Sequence, residues 1–173
     1  MYKLSEVPLL SAKQIDERLE TLAAEIKPYD FDCVVSVLTG AFTFTADLCR
    51  RIATPKMRVA FIRASSYGAS TESSGTLKVS GLDKIDIRGK KVLLIDDILD
   101  SGRTMFELTK KLADLGANEF KTCVLLNKES RHEVDMHANF VGFNIENQFV
   151  VGYGLDYADD YRTLPDIWTL VEA

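Results

Sequence analysis

Val92-Leu-Leu-Ile-Asp-Asp-Ile-Leu-Asp-Ser-Gly-Arg-Thr104 is the stretch whose reading decides the fold. Its four leading aliphatic residues suit a strand buried on both faces of a parallel sheet. Asp96, Asp97 and Asp100 follow, then the small residues Ser101-Gly102. Met105, Leu108, Leu112 and Leu115 come next at helical spacing, with Gly116 placed to end the helix. The chain therefore runs from strand to acidic turn to glycine to helix. Ligands of open α/β sheets bind at the carboxyl ends of strands. At this end the carboxylates can hold hydroxyls or a metal, and the backbone N–H groups that open the helix can hold a phosphate.

Other strands and helices alternate around this unit. Ser11-x-x-Gln14 is a capping box opening a helix with Ile15, Leu19, Leu22 and Ile26 on one face, ended by Pro28. Residues 33–38 read as a buried strand, 42–52 as a helix, and 58–62 and 122–126 as further strands. Residues 140–143 and 149–151 read as short strands. This pattern predicts an α/β fold, a doubly wound and mainly parallel sheet flanked by helices. The chain has no internal repeat or linker, so residues 1–173 are expected to form a single domain. The helix-poor tail after about residue 134 is expected to form a small lobe, or hood, over the strand ends. Trp168, in an apolar run, is expected in the core.

Composition narrows the function classes. With 173 residues, 46% hydrophobic and 27% charged, the chain suits one globular domain. A net charge of −5 gives no help to nucleic-acid binding. No apolar run approaches membrane-spanning length, and the N-terminus lacks a signal-peptide pattern. Cys33, Cys49 and Cys123 are unclustered. They argue against a disulfide frame or a zinc site and for a reducing, cytoplasmic location. His132 and His137 have no third partner in sequence reach and read as surface residues.

The Val92–Thr104 stretch resembles the diphosphosugar-binding motif of the type I phosphoribosyltransferases: an aliphatic strand, two acids, two aliphatics, then Asp-Ser/Thr-Gly-x-Thr. Phe149-Val-Val-Gly-Tyr-Gly-Leu-Asp-Tyr157 resembles the hood segment of the hypoxanthine-guanine members. Four motifs stand in the expected order between Leu38 and Leu164. The resemblance implies the type I phosphoribosyltransferase fold and purine salvage: transfer of 5-phosphoribose from its diphosphate to hypoxanthine or guanine, giving IMP or GMP and pyrophosphate.

The same resemblance assigns roles. Asp96 and Asp97 hold the ribose hydroxyls, directly or through Mg2+, to which Asp156 also contributes. Strand neighbours point to opposite faces, so both can reach the ribose only if the strand has ended by Asp96. Asp100 accepts the N7 proton of the purine. The amides of Ser101, Gly102, Arg103 and Thr104, with the Ser101 and Thr104 hydroxyls, cradle the 5′-phosphate. Lys128 donates to the purine O6, although a lone strand-end lysine is ordinarily a surface residue. Phe149 stacks on the base and the Val150 backbone reads its edge, although apolar core packing accounts equally well for such residues. Pyrophosphate falls to Arg162, Ser66, Tyr67 and the Thr39-Gly40 turn. That turn reads equally as a plain strand-to-helix connection, and the resemblance adds a cis peptide after Leu38. Many relatives carry a basic residue where this chain has Thr39. The polar segment from Ser66 to Gly75 looks like a loop that closes over the site, or, more plainly, a solvated hairpin.

Expected partners are a purine base, the diphosphosugar and further copies of the chain as a homodimer or homotetramer, with no nucleic acid and no membrane. Two alternatives stand beside this reading. One is a non-catalytic regulator of the same fold that binds the diphosphosugar or nucleotides. The other is a related xanthine-preferring enzyme.

Overall fold

The computed structural model describes residues 2–66 and 77–173. The order of elements is β1 (Tyr2–Leu4), α1 (Ala12–Ile26), β2 (Cys33–Leu38), α2 (Phe42–Ile52), β3 (Arg58–Ser66), β4 (Leu77–Ser80), β5 (Lys91–Leu99), α3 (Arg103–Asp114), β6 (Glu119–Asn127), β7 (Phe140–Asn144), β8 (Val150–Val151) and β9 (Trp168–Glu172). The capping box forms as expected: the Gln14 N–H donates to Ser11 Oγ at 3.2 Å, and the Ser11 N–H to Gln14 Oε1 at 2.9 Å. Pro28 sits in a 3-10 turn directly after α1.

The six-stranded sheet has the order β4-β3-β2-β5-β6-β7, parallel throughout except for β4. Alternation along the central strands sorts side chains to the two faces. Val34, Leu93, Ile95, Cys123 and Leu125 join α1 and α2 in one core. Val35, Val37, Val92, Leu94 and Val124 meet Met105, Leu108 and Leu112 of α3 in the other. The sheet is therefore doubly wound. The chain leaves β2 toward one edge and β5 toward the other, so the topology reverses between these two neighbours.

β1, β8 and β9 make a second, antiparallel sheet. Several sequence-based expectations shift here. β7 is the edge of the large sheet, so the lobe begins after Asn144 rather than near residue 134, and it takes in the N-terminal strand. Trp168 is only half-buried rather than in the core, although Leu170 on the same face of β9 is buried. β3 and β5 run longer than the apolar runs that marked them, since ladder pairing continues through polar residues.

Candidate active site

β2 and β5 stay paired only as far as Ser36 and Ile95. Beyond that point β2 turns through the cis Leu38–Thr39 peptide into α2, while β5 continues beside β6 to Leu99 opposite Asn127. The splayed ends leave a cavity of about 360 Å³. Its walls are Thr39 and Gly40 from the first turn, Asp96, Asp97, Asp100, Ser101, Gly102 and Thr104 from the second, and Asp156 and Arg162 from the hood. This is the crevice in which open α/β sheets bind ligands.

The carboxylates crowd one wall. The Asp97 N–H donates to Asp96 Oδ1 at 2.9 Å, and the Ile98 N–H to Asp97 Oδ1 at 2.8 Å. Burial, then the charge of Asp97, hold the Asp96 carboxyl well above the usual carboxylate range. A Cβ on Gly40 would stand 1.8 Å from Asp97 Oδ2, so the glycine is what lets this carboxylate lie against the turn. β5 does not end by Asp96, contrary to expectation; it runs to Leu99. Both carboxyls still face the same cavity, because β2 has already turned away and left the β5 edge open. Among the described residues, no three carboxylate, histidine or cysteine side chains converge as a ready metal cage. Asp156 in particular has both oxygens engaged, Oδ1 by Arg162 at 3.0 Å and Oδ2 by the Asp159 N–H at 2.8 Å.

The second turn leaves backbone amides open, a geometry that can hold an anion. Gly102 is buried with φ 82°, and a side chain there would press on Val134 and Met136 at 3.2 Å. Ser101 Oγ accepts the Arg103 N–H at 3.3 Å, and the first intrahelical bond runs from Phe106 to Gly102 at 2.9 Å. The Thr104 and Met105 amides at the start of α3 therefore lack helical acceptors and point to the crevice end. Arg103 is expected to contribute its backbone amide, and its side chain turns outward to Glu133 at 2.7 Å.

Asp100 meets two cations. Lys128 Nζ lies 3.9 Å from Oδ2, and Arg131 Nε donates to Oδ1 at 3.1 Å. Lys128 is buried, and its N–H is tied to the Leu99 carbonyl at 2.9 Å. Sequence reading missed Arg131. Its signal was the three-residue spacing from Lys128, which a 3-10 turn over Glu129–Arg131 converts into one shared face.

The segment after β7 supplies the remaining wall of the cavity through Asp156 and Arg162. Phe149 keeps 53% of its surface exposed and meets Tyr157 edge-on at 5.7 Å. The Leu170 N–H donates to the Phe149 carbonyl at 2.9 Å, and antiparallel alternation then turns the Val150 N–H and C=O away from β9. Tyr153 donates its hydroxyl to Asp47 Oδ2 at 2.6 Å, fastening the hood to α2. Gly154 passes so close to the first turn that a Cβ would stand 2.5 Å from the Gly40 carbonyl. Arg162 Nη1 donates to the Gly154 carbonyl at 2.8 Å, which holds the guanidinium at the cavity. Ser66 ends β3, whereas Tyr67 and the expected closing segment to Gly75 lie outside the described residues. His132 bonds Asn127 Oδ1 at 2.9 Å, and His137 is exposed beside Asp135.

Comparison with known proteins agrees with this geometry. The family model of the phosphoribosyl transferase domain matches residues 9–158. The chain is 44% identical to a hypoxanthine-guanine phosphoribosyltransferase of Aquifex aeolicus, over 92% of both chains. It is 42% identical to the hypoxanthine phosphoribosyltransferase of Salmonella typhimurium, over 92% of this chain and 85% of that one. The crystal structure of a hypoxanthine-guanine phosphoribosyltransferase from Bacillus anthracis superposes with a TM-score of 0.89 at 36% identity, covering 99% of this chain and 100% of that one. A match of this length, on a chain whose acidic turn and glycine-bearing helix start meet at the sheet's switch point, makes this protein a member of the phosphoribosyltransferase family.

Proposed function

We infer that the chain is a purine-salvage enzyme that transfers the 5-phosphoribosyl group from phosphoribosyl diphosphate to hypoxanthine or guanine, giving IMP or GMP and pyrophosphate. One observation carries the choice of base: the pairing of Lys128 with Asp100 at 3.9 Å on the cavity edge. A 6-oxopurine presents O6 and N7 side by side on one edge. With its proton on N7, that edge needs a donor for O6 next to an acceptor for N7–H. Lys128 is the donor and Asp100 the acceptor. Adenine would instead turn its 6-amino donor toward the ammonium.

The chemistry follows from the placement. As purine N9 forms its bond to ribose C1′, the bond from C1′ to the diphosphate oxygen breaks and the leaving group carries off its electron pair. The N7 proton passes to Asp100, a general-base role. The Ser101–Thr104 turn holds the 5′-phosphate through its amides and hydroxyls; Arg103 takes part only through its backbone. Phe149 offers a ring face to the purine, and Val150 offers its free N–H and C=O to the base edge. Arg162, Ser66, Tyr67 and the Thr39-Gly40 turn receive the diphosphate.

Asp96 and Asp97 suit Mg2+, which binds hard oxygen donors through one or two carboxylates plus substrate phosphates. Asp156 supplies a third carboxylate once Arg162 turns to the diphosphate. The bound ion would neutralise the departing diphosphate as a Lewis acid. Val59 and Phe61 stay 43% and 48% exposed on one face of β3, an apolar surface suited to a second copy of the chain in a homodimer or homotetramer. Cys33, Cys49 and Cys123 are free thiols, in keeping with a cytoplasmic enzyme. Among the described residues no helix is long and apolar enough to cross a membrane.

The test is a rate panel over hypoxanthine, guanine, xanthine and adenine, with Mg2+ and with excess EDTA. Hypoxanthine and guanine should react, adenine should not, and EDTA should abolish turnover. A dominant rate with xanthine, or undiminished turnover in EDTA, would overturn the corresponding part of the reading.

A further inference from the structure

The charge balance of the cavity poses a problem for a diphosphate. Asp96, Asp97, Asp100 and Asp156 line it, and Arg162 is the only cation lining it among the described residues. Arg162 is itself paired with Asp156. The first turn brings backbone amides but no basic side chain, and Asp97 lies directly against it at Gly40. Beyond the Mg2+ that Asp96 and Asp97 would hold, the first turn itself offers a polyanion no cation, so positive charge set just behind it would strengthen the grip.

β3 supplies it. Arg63 stands opposite Leu38 in the parallel register of β2 and β3, which sets it beside the first turn. Its Nη1 donates to Thr39 Oγ1 at 3.2 Å. A hydroxyl has one proton and two lone pairs. With a lone pair taken up by the guanidinium, Thr39 keeps its proton to give away, and the neighbouring positive charge makes that O–H a better donor. Thr39 is a cavity wall residue and Arg63 is not, so the arginine acts through the threonine.

We propose that Arg63 is a positioning residue for the leaving group: it orients and polarises the Thr39 hydroxyl so that Thr39 and Arg162 grip the diphosphate from opposite sides. This rests on the phosphoribosyl-transfer reading above. The 5′-phosphate is assigned to the other turn, so the Arg63–Thr39 pair should distinguish ligands that carry a diphosphate from ligands that carry only a 5′-monophosphate.

The experiment compares wild type, Arg63→Ala, Arg63→Lys, Thr39→Val and the Arg63→Ala/Thr39→Val double variant. Calorimetry measures the affinity of inorganic pyrophosphate with Mg2+ and of IMP, and steady-state kinetics measures KM and kcat. Arg63→Ala and Thr39→Val should each weaken pyrophosphate and raise KM for phosphoribosyl diphosphate by roughly tenfold. IMP affinity should stay within about twofold, and the double variant should lose little more than either single one. Arg63→Lys should recover part of the loss, which a structural defect would not predict. Unchanged pyrophosphate affinity in Arg63→Ala, an equal loss for IMP, or fully additive losses in the double variant would each overturn the proposal. Pyrophosphate binding is measurable whether or not the protein turns over. Absence of IMP formation by wild type would count against the transfer reading, whereas an unaltered Arg63→Ala affinity would count against the role of Arg63 alone.

Discussion

Replacing Asp100 by Asn separates the chemical step from everything else this carboxylate does. The amide keeps the shape of the turn, so the Ser101–Thr104 cradle should survive. Two contacts change: Arg131 loses a charged acceptor at 3.1 Å, and Lys128 loses a counter-charge at 3.9 Å. The Asp100 side chain is 45% exposed and that of Arg131 47%, so water already screens that pair, while the longer Lys128 contact is buried at the lysine and open to water at Asp100. Half-exposed ion pairs contribute about 0–1 kcal/mol each. For a chain of this length 1 kcal/mol moves Tm by about 2–4 °C, so the shift should stay within a few degrees. General-base catalysis contributes about 10²–10⁴-fold, which is about 3–5 kcal/mol of barrier at 1.36 kcal/mol per decade. The rate effect should therefore exceed the stability effect severalfold. The assay is a rapid-quench single turnover with saturating phosphoribosyl diphosphate and hypoxanthine, alongside a thermal melt and the affinity for the diphosphosugar. The expected result is a single-turnover rate down at least about a hundredfold, with diphosphosugar affinity nearly unchanged. Weak diphosphosugar binding with a near-normal rate at saturation would refute the reasoning and make Asp100 a ribose-binding or structural residue.

Three further perturbations probe the neighbouring groups. Lys128→Met should cut activity on hypoxanthine and guanine by about 1.5–3 kcal/mol of lost charged hydrogen bond and relax discrimination against adenine; wild-type kinetics for hypoxanthine would displace Lys128 from the base site. Gly40→Ala places a methyl 1.8 Å from the present position of Asp97 Oδ2, so Asp97 must swing aside. That variant should melt near the wild-type temperature but show a raised KM for phosphoribosyl diphosphate, and an unchanged KM would mean the Asp97 position is immaterial. Asp96→Asn addresses pH: a carboxyl raised in the folded state favours folding most where it is protonated, below the ordinary carboxylate range, and loses that contribution as pH rises through its raised value. The amide variant has no such loss and retains an acceptor for the Asp97 N–H. In metal-free buffer it should melt above wild type at neutral pH, with the gap closing as pH falls toward about 4; a gap independent of pH would show that Asp96 does not titrate in this range.

What the sequence determined by itself was the local machinery. The aliphatic run before Asp96, the Ser101-Gly102 turn and the helical spacing after it mark strand, cradle and helix, because each depends on neighbours within a few residues: side-chain periodicity, a left-handed φ at Gly102, an N-terminal turn with free amides. The Ser11 capping box was legible for the same reason. The six-residue spacing of Asp156 and Arg162 was legible as a motif, but their pairing at 3.0 Å was not. Tertiary structure decided which distant groups meet. Arg63 reaches Thr39 across 24 positions because β2 and β3 are adjacent, parallel and in one particular register. Arg131 reaches Asp100 across 31 positions because β5 and β6 end side by side. Tyr2–Leu4 completes the hood only through β9, at the far end of the chain. Arg103 sits inside the strongest motif, yet Glu133 draws its side chain away from the cavity. Periodicity along the chain says which face a residue takes but not which strand lies beside it. Register and strand order arise from packing the whole sheet against its helices, so contacts that depend on them leave no local trace.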